Sequence, residues 1–154
     1  NLRMDVDDPH VKFSDSGKTI YISEVNGGKK DSFFIGARID NDEFRSALIA
    51  SSENSGLFQR CIDEQQPHDY NLDIQIMYQD QPIFAPNNTT IFKVKYTLAN
   101  AGMEETVFNK LIVTSFAANP KDEYFEADNL DTANAGAVRE NIKQFLNYLS
   151  TQIN

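Results

Sequence analysis

The chain has 154 residues, 40% of them hydrophobic, with 11 Phe and 6 Tyr. That suffices for one domain with a sizeable core and is too short for two comfortable ones. Lys and Arg number 14 against 23 Asp and Glu, a net charge of −9, which argues against a basic face for nucleic-acid phosphates or an electrostatic grip on anionic lipid. Cys61 is the sole cysteine, so the chain can form no internal disulfide and no cysteine zinc site. No stretch approaches the roughly 18 apolar residues of a membrane span.

Residues 1–17 open the chain. Asn1 to Ser16 is polar, carries Asp5, Asp7, Asp8 and Pro9, and reads as an arm or tether, loosely docked at most. The chain begins at Asn1 without Met, so a processed or truncated N-terminus is expected. Residues 18–154 read as a single domain. Lys18 to Val25 is a short strand of β-branched and aromatic residues, ended by the turn signal Asn26-Gly27-Gly28. Phe33 to Arg38 is a candidate second short strand.

A first helix is expected over Asp40 to Ser55. Asp40 or Asn41 can cap it, and Asp40 with Glu43 has capping-box spacing. Phe44, Ala47, Leu48 and Ser51 make its narrow apolar stripe, and Gly56 followed by Leu57 fits its stop. Arg60 to Asp69 is a polar connector.

Tyr70 to Phe116 reads as three strands folded back and forth. In the first, Leu72, Ile74, Ile76 and Tyr78 face one way and Asn71, Asp73, Gln75 and Met77 the other. In the second, Phe92, Val94, Tyr96 and Leu98 oppose Ile91, Lys93, Lys95 and Thr97. Period-two alternation of this kind marks a sheet with one buried and one wet face. The third, Thr106 to Phe116, is apolar on both faces, so it is expected to be central or covered on both sides. The loop Asp80 to Thr90 carries the apolar pair Ile83 and Phe84, and Asn87-Asn88-Thr89-Thr90 holds two overlapping glycosylation sequons, an exposed-loop signal. Ala117 to Leu130 is acidic and irregular. A last helix over Thr132 to Gln152 has Ala135, Val138, Ile142, Phe145, Leu146, Leu149 and Ile153 on one stripe, and should be the main cover of the sheet. The fold class is therefore α+β: a two-layer sandwich, mostly antiparallel, of about four to five strands with two helices on one face.

Catalytic parts are scarce. Cys61, His68 and Asp69 are the raw parts of a thiol nucleophile with its base, but a polar connector gives no reason for them to meet, and a surface cysteine with a turn histidine is the simpler account. Asp122, Glu123, Glu126, Asp128 and Asp131 form the densest carboxylate cluster. They lack the spacing and central glycine of an EF-hand loop, so a solvated acidic loop is favoured over weak calcium binding. Gly27-Gly28 before Lys29-Lys30 matches no phosphate-loop pattern. No catalytic, cofactor-binding or metal-binding residue is assigned, and no cofactor is expected. The candidates for partner binding are Ile83 and Phe84, unless they fold back onto the core, and the wet sheet face bearing Lys93 and Lys95.

The runs NDEFRSALIASSENSGLF, HDYNLDIQIMYQDQP, FKVKYTLANAGMEETVFNKLIVTSFAA and NAGAVRENIKQFLNYLS together resemble a family of small bacterial envelope lipoproteins. Broadly, the pattern is similar to auxiliary lipoproteins of ABC transport systems. The resemblance covers about Thr19 to Leu149 and implies a signal peptide, an acylated cysteine ahead of a short linker, and one α/β domain. It implies a periplasmic domain held to the membrane, the outer membrane in the first instance, by an N-terminal lipid. Cys61 lies mid-domain and is not that anchor. The expected function is non-enzymatic: binding an envelope protein, or assisting transport or assembly there, with no nucleic acid as partner. The alternative is a carrier of a small apolar ligand or lipid between sheet and helices; a thiol enzyme using Cys61 and His68 is the remote one.

Overall fold

The computed structural model describes residues 4–8, 11–27, 39–58, 61, 65–80, 89–102, 105–117 and 126–153. Its elements run β1 (Ile20–Asn26), α1 (Asn41–Asn54), β2 (Tyr70–Asp80), β3 (Thr89–Asn100), β4 (Thr106–Ala117) and α2 (Glu126–Ile153). The four strands form one sheet in the order β1-β2-β3-β4. β1 lies parallel to β2 because α1 carries the chain back across the sheet between them, whereas β2, β3 and β4 are antiparallel neighbours. This is the expected α+β sandwich, with a mixed sheet and both helices on one face. The segment Phe33 to Arg38 lies outside the described residues.

The alternation places the core. Leu72, Ile74 and Ile76 of β2, and Phe92, Val94, Tyr96 and Leu98 of β3, are buried on the inner face. Phe108 and Ile112 of β4 join them. From above, α2 presents Val138, Ile142, Phe145, Leu146 and Leu149, all fully buried. The Tyr96 and Phe145 rings stack with centroids 3.9 Å apart and planes 7° off parallel, while Phe44 of α1 meets Phe92 edge-on. As expected, α2 covers β3 and β4; α1 lies over β1.

Local chemistry fixes the helix ends. Asp40 is the extended N-cap of α1, and its carboxylate accepts the N–H groups of Asp42 and Glu43 at 3.1 and 3.2 Å. Gly56 stands just past the helix at φ 76°, and Leu57 beyond it is fully buried.

Three features differ from the expectations. First, β4 is not central: among the described strands it is the edge of the sheet, and its outer side chains Val107, Leu111 and Val113 are exposed. Second, α2 starts at Glu126, so the stretch up to Leu130 is not irregular throughout. Third, the arm is not loose. Val6 and Val11 are buried in the core cluster. The Val6 N–H donates to Ser51 Oγ at 2.7 Å, the Phe13 N–H to the Ser55 carbonyl at 2.8 Å and the Ser16 N–H to the Leu57 carbonyl at 2.9 Å. Buried Ser51, Ser52 and Ser55 turn their hydroxyls onto carbonyls of their own helix or its cap. Their small side chains let a second backbone come within hydrogen-bonding range of α1.

Candidate functional site

The outer face of the sheet is built by the residues that alternate with the core. On β3, Lys93 and Lys95 lie half-buried on this face. Lys93 stands opposite Val113 on one side and Tyr78 on the other; Lys95 stands between Leu111 and Gln75. Leu111 is 49% exposed and Val113 50%. The ladder between β2 and β3 shifts register between Ile76 and Tyr78, and Met77 in that bulge is 50% exposed. The face therefore combines two ammonium groups with a scatter of large aliphatic side chains.

Of the residues singled out for partner binding, Lys93 and Lys95 share this face, while Ile83 and Phe84 lie outside the described residues. The sequence reading missed Leu111 and Val113, because apolar side chains on both faces of β4 suggested cover. Their signal was present: an apolar outer face needs either cover or a partner.

The parts of a thiol catalyst are not assembled. Burial pushes the Cys61 thiol up to about 12, with Glu53 adding to the effect and Arg45 opposing it, so the sulfur holds its proton at neutral pH. Both ring nitrogens of His68 are engaged elsewhere, Nδ1 with the Gln66 carbonyl at 2.8 Å and Nε2 with Asn71 Oδ1 at 2.5 Å. Asp69 serves the backbone: its carboxylate accepts the Thr19 N–H at 2.9 Å, and that bond holds its carboxyl below the usual range. This clamps β1 to β2 at their shared start. The remote thiol-enzyme reading is corrected accordingly.

Asp122 and Glu123 lie outside the described residues, whereas Glu126, Asp128 and Asp131 are in α2. Among the described residues no group of three or more metal-ligating side chains comes together. A groove of about 380 Å³ between the arm and α2 is lined by Asp5, Val6, Asp7, Asp8, Arg139, Glu140 and Lys143. Lys143 pairs with Asp8 at 3.3 Å, which pins the arm to α2. The lining is charged, unlike the apolar pocket that a lipid carrier needs. Between sheet and α2, where a carried ligand would sit, the Tyr96 and Phe145 rings stack directly on each other. Among the described residues no helix is long and apolar enough to cross a membrane.

No family model and no curated protein matches the chain. Solved structures do. A Xanthomonas campestris protein of the DUF330 family superposes with a TM-score of 0.74 at 10% identity, over 99% of this chain and 93% of that one. A hypothetical protein of Chlamydia trachomatis gives 0.67 at 8% identity, over 89% and 98%. A lipoprotein of Neisseria meningitidis gives 0.51 at 9% identity, over 87% and 99%. The chain thus has a fold found in small bacterial lipoproteins, in keeping with the resemblance in its sequence.

Proposed function

We propose that this chain is the folded domain of an envelope lipoprotein, tethered by an N-terminal lipid on the periplasmic side of the outer membrane, and that it binds a protein partner rather than catalysing a reaction. The observation that carries this reading is the outer sheet face, where Leu111, Val113 and Met77 stand exposed around Lys93 and Lys95. The fold supports the lipoprotein part, since bacterial lipoproteins share it at low identity. The docked arm fits a tether as well: hydrogen bonds to α1 hold the chain at Val6, Phe13 and Ser16, so a pull on the N-terminus is taken up by the domain.

The test is cross-linking of the full-length, lipidated protein in native envelopes, read by mass spectrometry. A reproducible envelope protein should be captured, and Leu111→Ser with Val113→Ser should abolish the capture. Ile83→Ser with Phe84→Ser is the second pair, since that loop belongs to the same proposal. Capture that persists in both pairs would move the binding surface elsewhere. Co-purified lipid without any protein would favour a carrier.

A further inference from the structure

The arm bridges two helices that otherwise touch little. Along α1 it is held through its backbone. The Val6 N–H donates to Ser51 Oγ at 2.7 Å, and Asn54 Nδ2 donates back to the Val6 carbonyl at 3.3 Å. Lys12 Nζ donates to the Asn54 carbonyl at 2.5 Å, and the Phe13 and Ser16 N–H groups donate to the Ser55 and Leu57 carbonyls. Towards α2 the hold is of another kind. The Lys143–Asp8 pair spans 3.3 Å, its side chains 36% and 31% exposed, beside the charged groove of about 380 Å³. One side is stitched by hydrogen bonds, the other by a part-exposed ion pair next to an open groove.

A segment held in this way sits near the balance of docking and release. Fixing an extended stretch costs backbone freedom at every residue, and among the arm's described residues Val6 and Val11 are the apolar side chains fully buried in return. A part-exposed ion pair adds little. Release breaks none of the described sheet ladders, because the arm lies ahead of β1 and pairs with no strand in them. The swing has a hinge: Gly17 ends the arm, exposed and at φ 72°.

We infer that residues 4–16 are a releasable strap, which lifts from α1 and α2 as one unit while the sandwich stays folded. This rests on the tethered reading of the chain and says what the tether pulls on. Released, the strap spans at most about 45 Å, so the domain has two reaches from its anchor. A pull on the N-terminus favours the longer state, because that state yields in the direction of the force.

Native-state amide exchange of the full chain in dilute urea tests it. The Val6, Phe13 and Ser16 amides should exchange with one common urea dependence, at least about tenfold faster than those of β3. Tyr96→Phe, which weakens the core under α2, should speed β3 by about fivefold or more and leave the three arm amides as they were. Ser51→Ala removes the acceptor of the Val6 amide alone, yet it should speed Phe13 and Ser16 by about fivefold too, because the unit opens whole. Lys143→Glu sets a carboxylate against Asp8 and should speed all three, although it bonds none of them. Arm amides as slow as β3, or sped with it by Tyr96→Phe, overturn the strap, since the arm then leaves only when the whole domain unfolds. Acceleration confined to Val6 in Ser51→Ala, or none in Lys143→Glu, overturns release as a unit. Full strap opening in a mature protein whose mass shows no acyl group would keep the strap and remove the lipid tether.

Discussion

At the scale of single residues, the most consequential side chain is one with no apolar role. Asn141 is fully buried at the centre of α2. The Tyr96 hydroxyl donates to its Oδ1 at 2.6 Å, and its Nδ2 donates to the Ile112 carbonyl at 3.1 Å and to Thr114 Oγ1 at 3.2 Å. Thr114 in turn donates to the Ala137 carbonyl at 3.0 Å. One carboxamide thus ties α2 to β3 and β4 together, and fixes which turn of the helix sits over which pair of strands. Asn141→Ala strands the Tyr96 hydroxyl among apolar groups and leaves a void, and should cost about 2–4 kcal/mol in urea unfolding. Tyr96→Phe should cost less, about 1–2 kcal/mol. The double variant should cost less than the sum, because both changes delete the same bond. Cys61 gives a prediction with a pH sign. Its thiol pKa is raised on folding from 9.0 to about 12, so the folded state favours the protonated sulfur. Its contribution to stability is fully present below about pH 9 and is lost as the pH rises toward 12. Buried Tyr96, also pushed up by burial, adds a loss of the same sign. The drop in unfolding free energy from neutral to alkaline pH should therefore be smaller for Cys61→Ala than for the parent chain. A larger alkaline loss in the variant would contradict this.

At the scale of elements, α2 and β4 are set by a close approach. A Cβ on Gly136 would lie 2.2 Å from Cδ1 of Phe116 and 2.4 Å from its Cγ, so the whole ring and not merely its tip would have to move. Ala ordinarily stabilises a helix interior by about 1 kcal/mol over Gly. Here Gly136→Ala should instead destabilise by about 1–3 kcal/mol, as overpacking does, and thermal unfolding would detect it. Comparable elements were unevenly legible from sequence. β3 was clear because its alternation is strict, and α1 because Asp40 and Gly56 mark both ends; β2 was clear only as far as Ile76, since the register shift beyond it sets Tyr78 opposite Lys93 instead of in line with Leu72, Ile74 and Ile76. The position of β4 was not, since apolar groups on both faces describe a central strand and an adhesive edge equally well. The first turn of α2 hid behind Glu126-Ala-Asp-Asn-Leu-Asp, which has no apolar stripe. The arm hid because Val6 and Val11 are too sparse to make a period, and the groups its backbone bonds, Ser51 Oγ and the Ser55 carbonyl, belong to a helix distant in sequence and its cap. Asn141 gave no signal at all: only the register of α2 on the sheet makes it a hub. For the candidate surface, Lys93 and Lys95 were legible from β3 alternation, but Leu111 and Val113 needed the strand order.

At the scale of the whole molecule, the described residues cover the sheet on one side only. The inner face buries Ile22, Leu72, Ile74, Phe92, Val94, Tyr96, Leu98 and Ile112 under α1 and α2, whereas the outer face keeps Met77, Val107, Leu111 and Val113 in water. If that face is open, its aliphatic groups contribute little to folding, because each is already half hydrated in the native state. Leu111→Ser with Val113→Ser should then lower unfolding free energy by only about 1 kcal/mol, mostly through lost β-propensity. The same pair should reduce self-association at high concentration, since an apolar edge is where soluble sheets aggregate. Urea unfolding and light scattering on one preparation measure both. A loss of several kcal/mol would mean that the chain's own remaining segments cover this face in the native fold, and the surface would be core rather than docking site. Little loss of stability together with reduced scattering would leave the two residues with a role outside folding, which is what a surface kept for a partner requires.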